Sequence, residues 1–110
     1  MAKRREALER GGLFWTLADE LLTQGVEEGS LMGFPCLRVS GRFLGMCDHP
    51  TGDLVVKLTA PRVQALIAGG EGEPFAPAGR TFKEWVRIVA RDEARWRALL
   101  AEARALAAAD

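Results

Sequence analysis

The chain is short of the residues that most chemistry needs. It has one histidine and two cysteines in 110 residues, and its 15 basic and 15 acidic residues cancel to a net charge of zero. Two cysteines are too few for a disulfide scaffold, and in a reducing cytosol they are expected as free thiols. One histidine with two thiols cannot complete the four ligands of a zinc site within one copy of the chain. Zero net charge excludes binding nucleic acid through bulk charge alone. No apolar run approaches the roughly 20 residues that span a bilayer. The start, Met1-Ala2-Lys3-Arg4-Arg5, is charged, but Glu6, Glu9 and Arg10 interrupt any apolar signal core after it. The expected setting is therefore the cytoplasm, with no membrane partner. No recognisable pattern asks for a cofactor, a metal or a small-molecule substrate.

What is present is a mid-chain run of alternating side chains. A chain of this length forms one domain that buries about 65% of its unfolded surface. Between Pro35 and Leu58 the sequence reads as three strands. Strand side chains alternate between faces, and a hairpin turning at Gly41-Arg42 puts Leu37, Val39, Leu44, Met46, Leu54, Val56 and Leu58 on one face. Gly at the first central position suits a type II′ turn. That register pairs Val39 with Leu44, Leu37 with Met46 and Cys36 with Cys47. The opposite face carries Cys36, Arg38, Ser40, Phe43, Gly45, Cys47, Val55 and Lys57, the mixed composition usual for one side of an antiparallel sheet. The second turn falls in Asp48-His49-Pro50-Thr51-Gly52, which is dense in turn formers.

Helices flank the strands. Phe14, Leu17, Ala18, Leu21 and Leu22 recur at helical spacing until Gly25. Thr59 and Pro61 open a short helix with Val63, Leu66 and Ile67 on its apolar side, closed by Gly69-Gly70. A short strand is expected near Glu73–Ala76 and another within Phe82–Val89. Asp92 caps a last helix whose stripe is Trp96, Leu99, Leu100, Ala103 and Leu106. The expected order is α-β-β-β-α-β-β-α: an α+β fold of two layers, an antiparallel sheet covered by helices. The core is expected to include Leu17, Leu21, Val39, Leu44, Met46, Leu54, Val56, Leu66, Trp96 and Leu99.

Charge is unevenly spread. Arg80, Lys83, Arg87, Arg91, Arg95 and Arg97 outnumber Glu84, Asp92 and Glu93 between residues 80 and 97, whereas residues 11–29 carry Asp19, Glu20, Glu27 and Glu28. Either the surface is dipolar or these are ordinary solvated charges. The glycines of loop 71–80 are no phosphate cradle, because the loop is acidic and lacks a Gly-Lys-Ser/Thr ending. His49 sits in a turn, where side chains are usually solvated, and Glu27-Glu28 are adjacent, so they do not converge on one point. No constellation of nucleophile, base and acid is recognisable.

Several segments in order resemble one family. These are Met32-Gly33-Phe34-Pro35, Leu37-Arg38-Val39, Gly41-Arg42-Phe43, Leu54-Val55-Val56-Lys57-Leu58 and Pro61-Arg62-Val63. Gly70-Glu71-Gly72-Glu73-Pro74-Phe75, Gly79-Arg80 and Lys83-Glu84-Trp85-Val86 follow. Together they resemble the TfoX N-terminal-like and MmcQ/YjbR-like proteins, small bacterial α+β domains. The resemblance runs from about Gly12 to the C-terminus, so residues 1–11 read as an N-terminal extension and 12–110 as one domain. It implies a fold similar to the type III secretion chaperones, and a DNA-binding label through a double-wing surface. On that reading the protein is a non-enzymatic binding domain that takes DNA through Arg38, Arg42, Lys57, Arg80, Lys83 and Arg87, with Phe43 or Trp85 stacking or wedging. The alternative is a protein-interaction or chaperone-like dimerisation module, whose partner is another protein or a second copy. A continuous positive strip through Arg38, Lys57, Arg80 and Arg87 favours DNA; neutralisation of these cations by Glu73, Glu84 or Asp53 favours a protein.

Overall fold

Turn chemistry decides where this chain folds back on itself. In the computed structural model, which describes residues 12–48 and 51–109, Ser40 and Gly41 adopt φ of 53° and 77°. These are the two positive values of a type I′ hairpin turn, whose twist matches that of the flanking strands. The turn therefore lies one residue earlier than Gly41-Arg42, and Val39 pairs with Arg42 rather than Leu44. Met32 and Gly33, at φ 54° and 80°, make a second turn of the same kind. It folds the acidic stretch Glu27–Leu31 back as a strand that the sequence reading does not contain.

The elements are α1 (Gly12–Leu22), β1 (Glu27–Leu31), β2 (Phe34–Val39), β3 (Arg42–Asp48), β4 (Asp53–Lys57), α2 (Ala60–Ala68), β5 (Glu73–Pro74), β6 (Trp85–Ile88) and α3 (Glu93–Ala108). A short 3-10 turn at Pro77–Gly79 links β5 to β6. The strands form one antiparallel sheet in the order β1-β2-β3-β4-β6-β5. The two-layer α+β architecture expected from the sequence is the one observed, with β1 as an added edge strand. The expected extension 1–11 and the residues His49 and Pro50 lie outside the described residues.

The helices end and begin where their caps permit. Gly25, at φ 92°, takes the chain out of α1. Thr59 Oγ1 accepts from the Arg62 amide at 3.4 Å, and Asp92 Oδ1 accepts from the Arg95 amide at 3.1 Å, as N-caps do. All three helices lie on one side of the sheet. Phe14 and Leu17 of α1, Val63 and Leu66 of α2, and Trp96, Leu99 and Leu100 of α3 pack with Leu37, Leu44, Leu54, Val56, Val86 and Ile88. Eight of the ten expected core residues are buried, while Leu21 and Val39 are half-buried against this core. Leu106 is exposed and Ala107 is buried in its place.

The early turn has a further consequence. Leu37 pairs with Gly45 but Arg38 pairs with Phe43, so Leu44 is the extra residue of a bulge. Leu44 and Gly45 both lie on the helix side. A Cβ on Gly45 would sit 2.9 Å from the Val55 carbonyl oxygen and 3.5 Å from Leu100 Cδ2. Beyond the bulge, parity is reversed relative to the sequence reading. Cys36 pairs with Met46 rather than Cys47; Met46 turns to the helix-free face and Cys47 into the helix-side core. Gly45→Ala is expected to destabilise the fold by about 1–3 kcal/mol, as overpacking does. Urea denaturation measures this; an unchanged midpoint would mean that the close approach at Gly45 does not constrain the sheet.

Candidate functional site

The face without helices is more apolar than its alternation suggests. Cys36, Met46, Val55, Phe75 and Trp85 form a second buried cluster there, with Leu31, Phe34, Phe43 and Phe82 half-buried around it. The segment after β5 folds over part of this face: the Phe82 amide donates to the Phe75 carbonyl at 2.9 Å. The Phe75 ring centroid is 5.8 Å from that of Phe82 and 6.5 Å from that of Trp85; Phe43 and Trp85 are 6.1 Å apart. Trp85 is only 7% exposed, so Phe43 and Phe75 take up the indole that the sequence reading offers for stacking. A cleft of about 310 Å³ remains beside the loop, with Phe34, Phe75 and Pro77 on its walls and Asp48 and Arg87 at its polar edge.

The six candidate cations do not form one strip. Strand parity puts Arg38, Lys57 and Arg87 on the helix-free face, with Arg80 and Lys83 exposed on the neighbouring loop. Arg42 pairs with Val39, whose side chain packs into the helix-side core, so Arg42 points to the other side of the sheet. Lys57 Nζ lies 3.3 Å from Glu84 Oε1. Arg87 donates to Glu73 and stands 3.9 Å from Asp53 Oδ2, and the hydrogen bond with Glu73 holds its guanidinium above its ordinary pKa. Arg38 lies flat over Gly29: a Cβ on that glycine would be 2.9 Å from Arg38 Nε. No carboxylate among the described residues forms an ion pair with Arg38, Arg80 or Lys83. The basic and acidic segments that suggested a dipole partly cancel, because Arg97 Nη2 reaches Glu20 Oε1 at 2.9 Å.

Asp53, which the sequence reading offers only as a neutraliser of the basic face, is also a buried clasp. It is 5% exposed, and Arg91 Nη1 donates to its Oδ1 at 2.7 Å. The same arginine donates to the carbonyls of Val89 at 2.7 Å and Thr51 at 2.9 Å, and its guanidinium stands 5.3 Å from the Trp96 ring centroid. Asp53 thereby ties the β3–β4 turn to the start of α3. Its burial and its pairing with Arg91 are what the sequence does not mark, since a lone Asp after a Gly in a turn reads as solvated.

The two cysteines are free and buried. They sit on opposite sheet faces, so the expected cross-strand neighbourhood does not form. Burial raises the pKa of both thiols; Asp48 adds to the effect on Cys47, which is pushed up to about 12. At neutral pH both are thiols, poor nucleophiles in this form. Among the described residues no group of three or more His, Cys, Asp or Glu could hold a metal ion, and no helix is long and apolar enough to cross a membrane. The chain matches no family model, no curated protein and no solved structure.

Two outcomes follow for stability. Asp53→Ala removes the carboxylate between Arg87 and Arg91 and is expected to cost about 1.5–3 kcal/mol by urea denaturation, the range for hydrogen bonds to charged groups; a loss under 0.5 kcal/mol, taken as roughly the scatter of neutral surface changes, would make the clasp energetically idle. Cys47 ionises near its ordinary value of 9.0 in the unfolded chain but near 12 when folded. Above about pH 9 the unfolded chain therefore sheds a proton that the folded chain keeps, and stability falls as pH rises toward 12. There is no tyrosine to mask this. Melting curves of Cys47→Ala should show a shallower loss between pH 9 and 11 than the parent; equal slopes would refute the burial of the thiol.

Proposed function

We propose that this chain is a non-enzymatic binding domain of the MmcQ/YjbR-like type that recognises a protein through the helix-free sheet face. The observation that carries this reading is the pairing of charge there. Lys57 is matched by Glu84, and Arg87 by Glu73 and Asp53, around half-buried Phe34, Phe43 and Phe82. Aromatic surface rimmed by satisfied polar groups is what protein interfaces are made of, whereas a DNA groove needs uncompensated cations to displace counterions. The proposed setting is the cytoplasm, which the two unbridged thiols support.

DNA is the second reading, and a specific observation favours it: Arg38, Arg80 and Lys83 have no ion-pair partner among the described residues, and they lie on or beside the same face. Titration of labelled duplex at low and physiological salt separates the two readings. The protein reading expects a Kd weaker than about 100 μM at low salt, no better than non-specific binding. A Kd well below that, lost on Arg38→Ala and Lys83→Ala, would overturn it in favour of DNA. In parallel, partners captured from the native lysate should survive nuclease treatment and be lost with Phe34→Asp.

A further inference from the structure

β1 is an edge strand whose outer side no other element of the described residues covers. Its composition, Glu-Glu-Gly-Ser-Leu, is poor in the residues that strands favour. The two charged residues resemble the devices that keep edges from pairing. The positions of the charges give them another use.

The two-residue turn at Met32-Gly33 makes Leu31 and Phe34 the hydrogen-bonded closing pair of the β1–β2 hairpin. Hydrogen-bonding direction alternates along a strand. Gly29 therefore addresses β2, and Ser30 directs its N–H and C=O away from the sheet. On the helix-free face, Glu27, Gly29 and Leu31 lie opposite Arg38, Cys36 and Phe34. The Arg38 side chain leaves β2 beside Glu27 and crosses Gly29 diagonally; a Cβ there would meet Nε at 2.9 Å and both Cζ and Nη2 at 3.1 Å. Gly29 is thus a strand glycine that admits a guanidinium. The Arg38 Nε is buried and makes no hydrogen bond. Neither Arg38 nor Glu27 has an ion-pair partner among the described residues.

The geometry points to a second copy of this chain as the occupant of the β1 edge, paired antiparallel with Gly29 opposite the partner's Gly29. In that register Glu27 faces the partner's Leu31 and Ser30 faces the partner's Glu28, so like charges are not opposed. The diagonal that Arg38 follows across Gly29 continues to the partner's Glu27. The two-fold axis repeats the contact, which gives two reciprocal Arg38–Glu27 pairs as an isologous interface requires. The two six-stranded sheets then form one continuous sheet, with both aromatic faces on the same side. This rests on the reading of the chain as a protein-binding domain and names one of its partners.

Sedimentation equilibrium of the intact chain tests it. A dimer is expected that weakens as salt rises, because the paired charges lie near the surface. Ser30→Pro removes an outward N–H that the monomer does not use and should give a monomer with the parent's circular dichroism. Glu27→Lys, on an exposed side chain, should weaken association by about tenfold or more through like-charge contact with Arg38, and adding Arg38→Glu should restore it. A parent chain that stays monomeric at about 1 mM, where association is too weak to matter, overturns the proposal. So does a dimer unaffected by both single variants, or a double variant no tighter than Glu27→Lys alone. A monomer that still retains Phe34-dependent partners overturns only the dimer, whereas a dimer that retains none overturns the recognition of other proteins by the aromatic face.

Discussion

Two adjacent residues on one side of β3 hold the organisation of this protein. Leu44 and Gly45 both face the helices because the hairpin turns at Ser40-Gly41 and leaves Leu44 unpaired. Leu44 enters the core, and the missing side chain of Gly45 leaves the Val55 carbonyl of β4 its place, since a Cβ there would stand 2.9 Å from that oxygen. The bulge also reverses the facing of every later residue of β3. That is why Met46 joins the aromatic cluster, Cys47 joins the helix-side core, and the two thiols are separated by the thickness of the sheet. Without the bulge, Met46 would compete with the helices for space and the helix-free face would lose the centre of its second cluster.

Electrostatics follow the same logic of pairing across elements. The chain is neutral overall, and across the described residues much of the charge is matched pair by pair. Arg62 meets Glu102, Arg95 meets Glu71, Arg97 meets Glu20, Lys57 meets Glu84, and Arg91 meets Asp53. Most of these pairs are solvated and contribute little to stability. Their effect is on recognition, because a cation already matched to a carboxylate has little field left for phosphate. Arg38 departs from this pattern. It is half-buried, stacked on a glycine and unmatched within the described residues, and it stands beside the β1 edge, which no other element of the described residues covers.

Much of the architecture was legible because it depends on local periodicity and caps. The 3.6-residue stripes around Leu17 and Leu99, the caps at Thr59 and Asp92 and the strand alternation in β4 survive folding unchanged. β1 was not legible, since Glu27–Leu31 has weak intrinsic preference and becomes a strand only by hydrogen bonding to β2. The hairpin register was misread for a related reason. Val39 opposite Arg42 looks unfavourable as a pair, but the bulge that follows repairs the core facing of Leu44, and a bulge leaves no mark in an alternating pattern.

The sequence by itself determined the class of fold, most of the helix-side core outside β3 and the expectation of a binding domain without recognisable catalytic groups, because burial patterns and capping act over a few residues. Only the tertiary structure decided which cations remain available, where the cysteines lie and which strand forms the edge. Those properties belong to residues distant in sequence, such as Asp53 with Arg91 and Gly29 with Arg38, and a side chain's partner is fixed only when the sheet brings the two together.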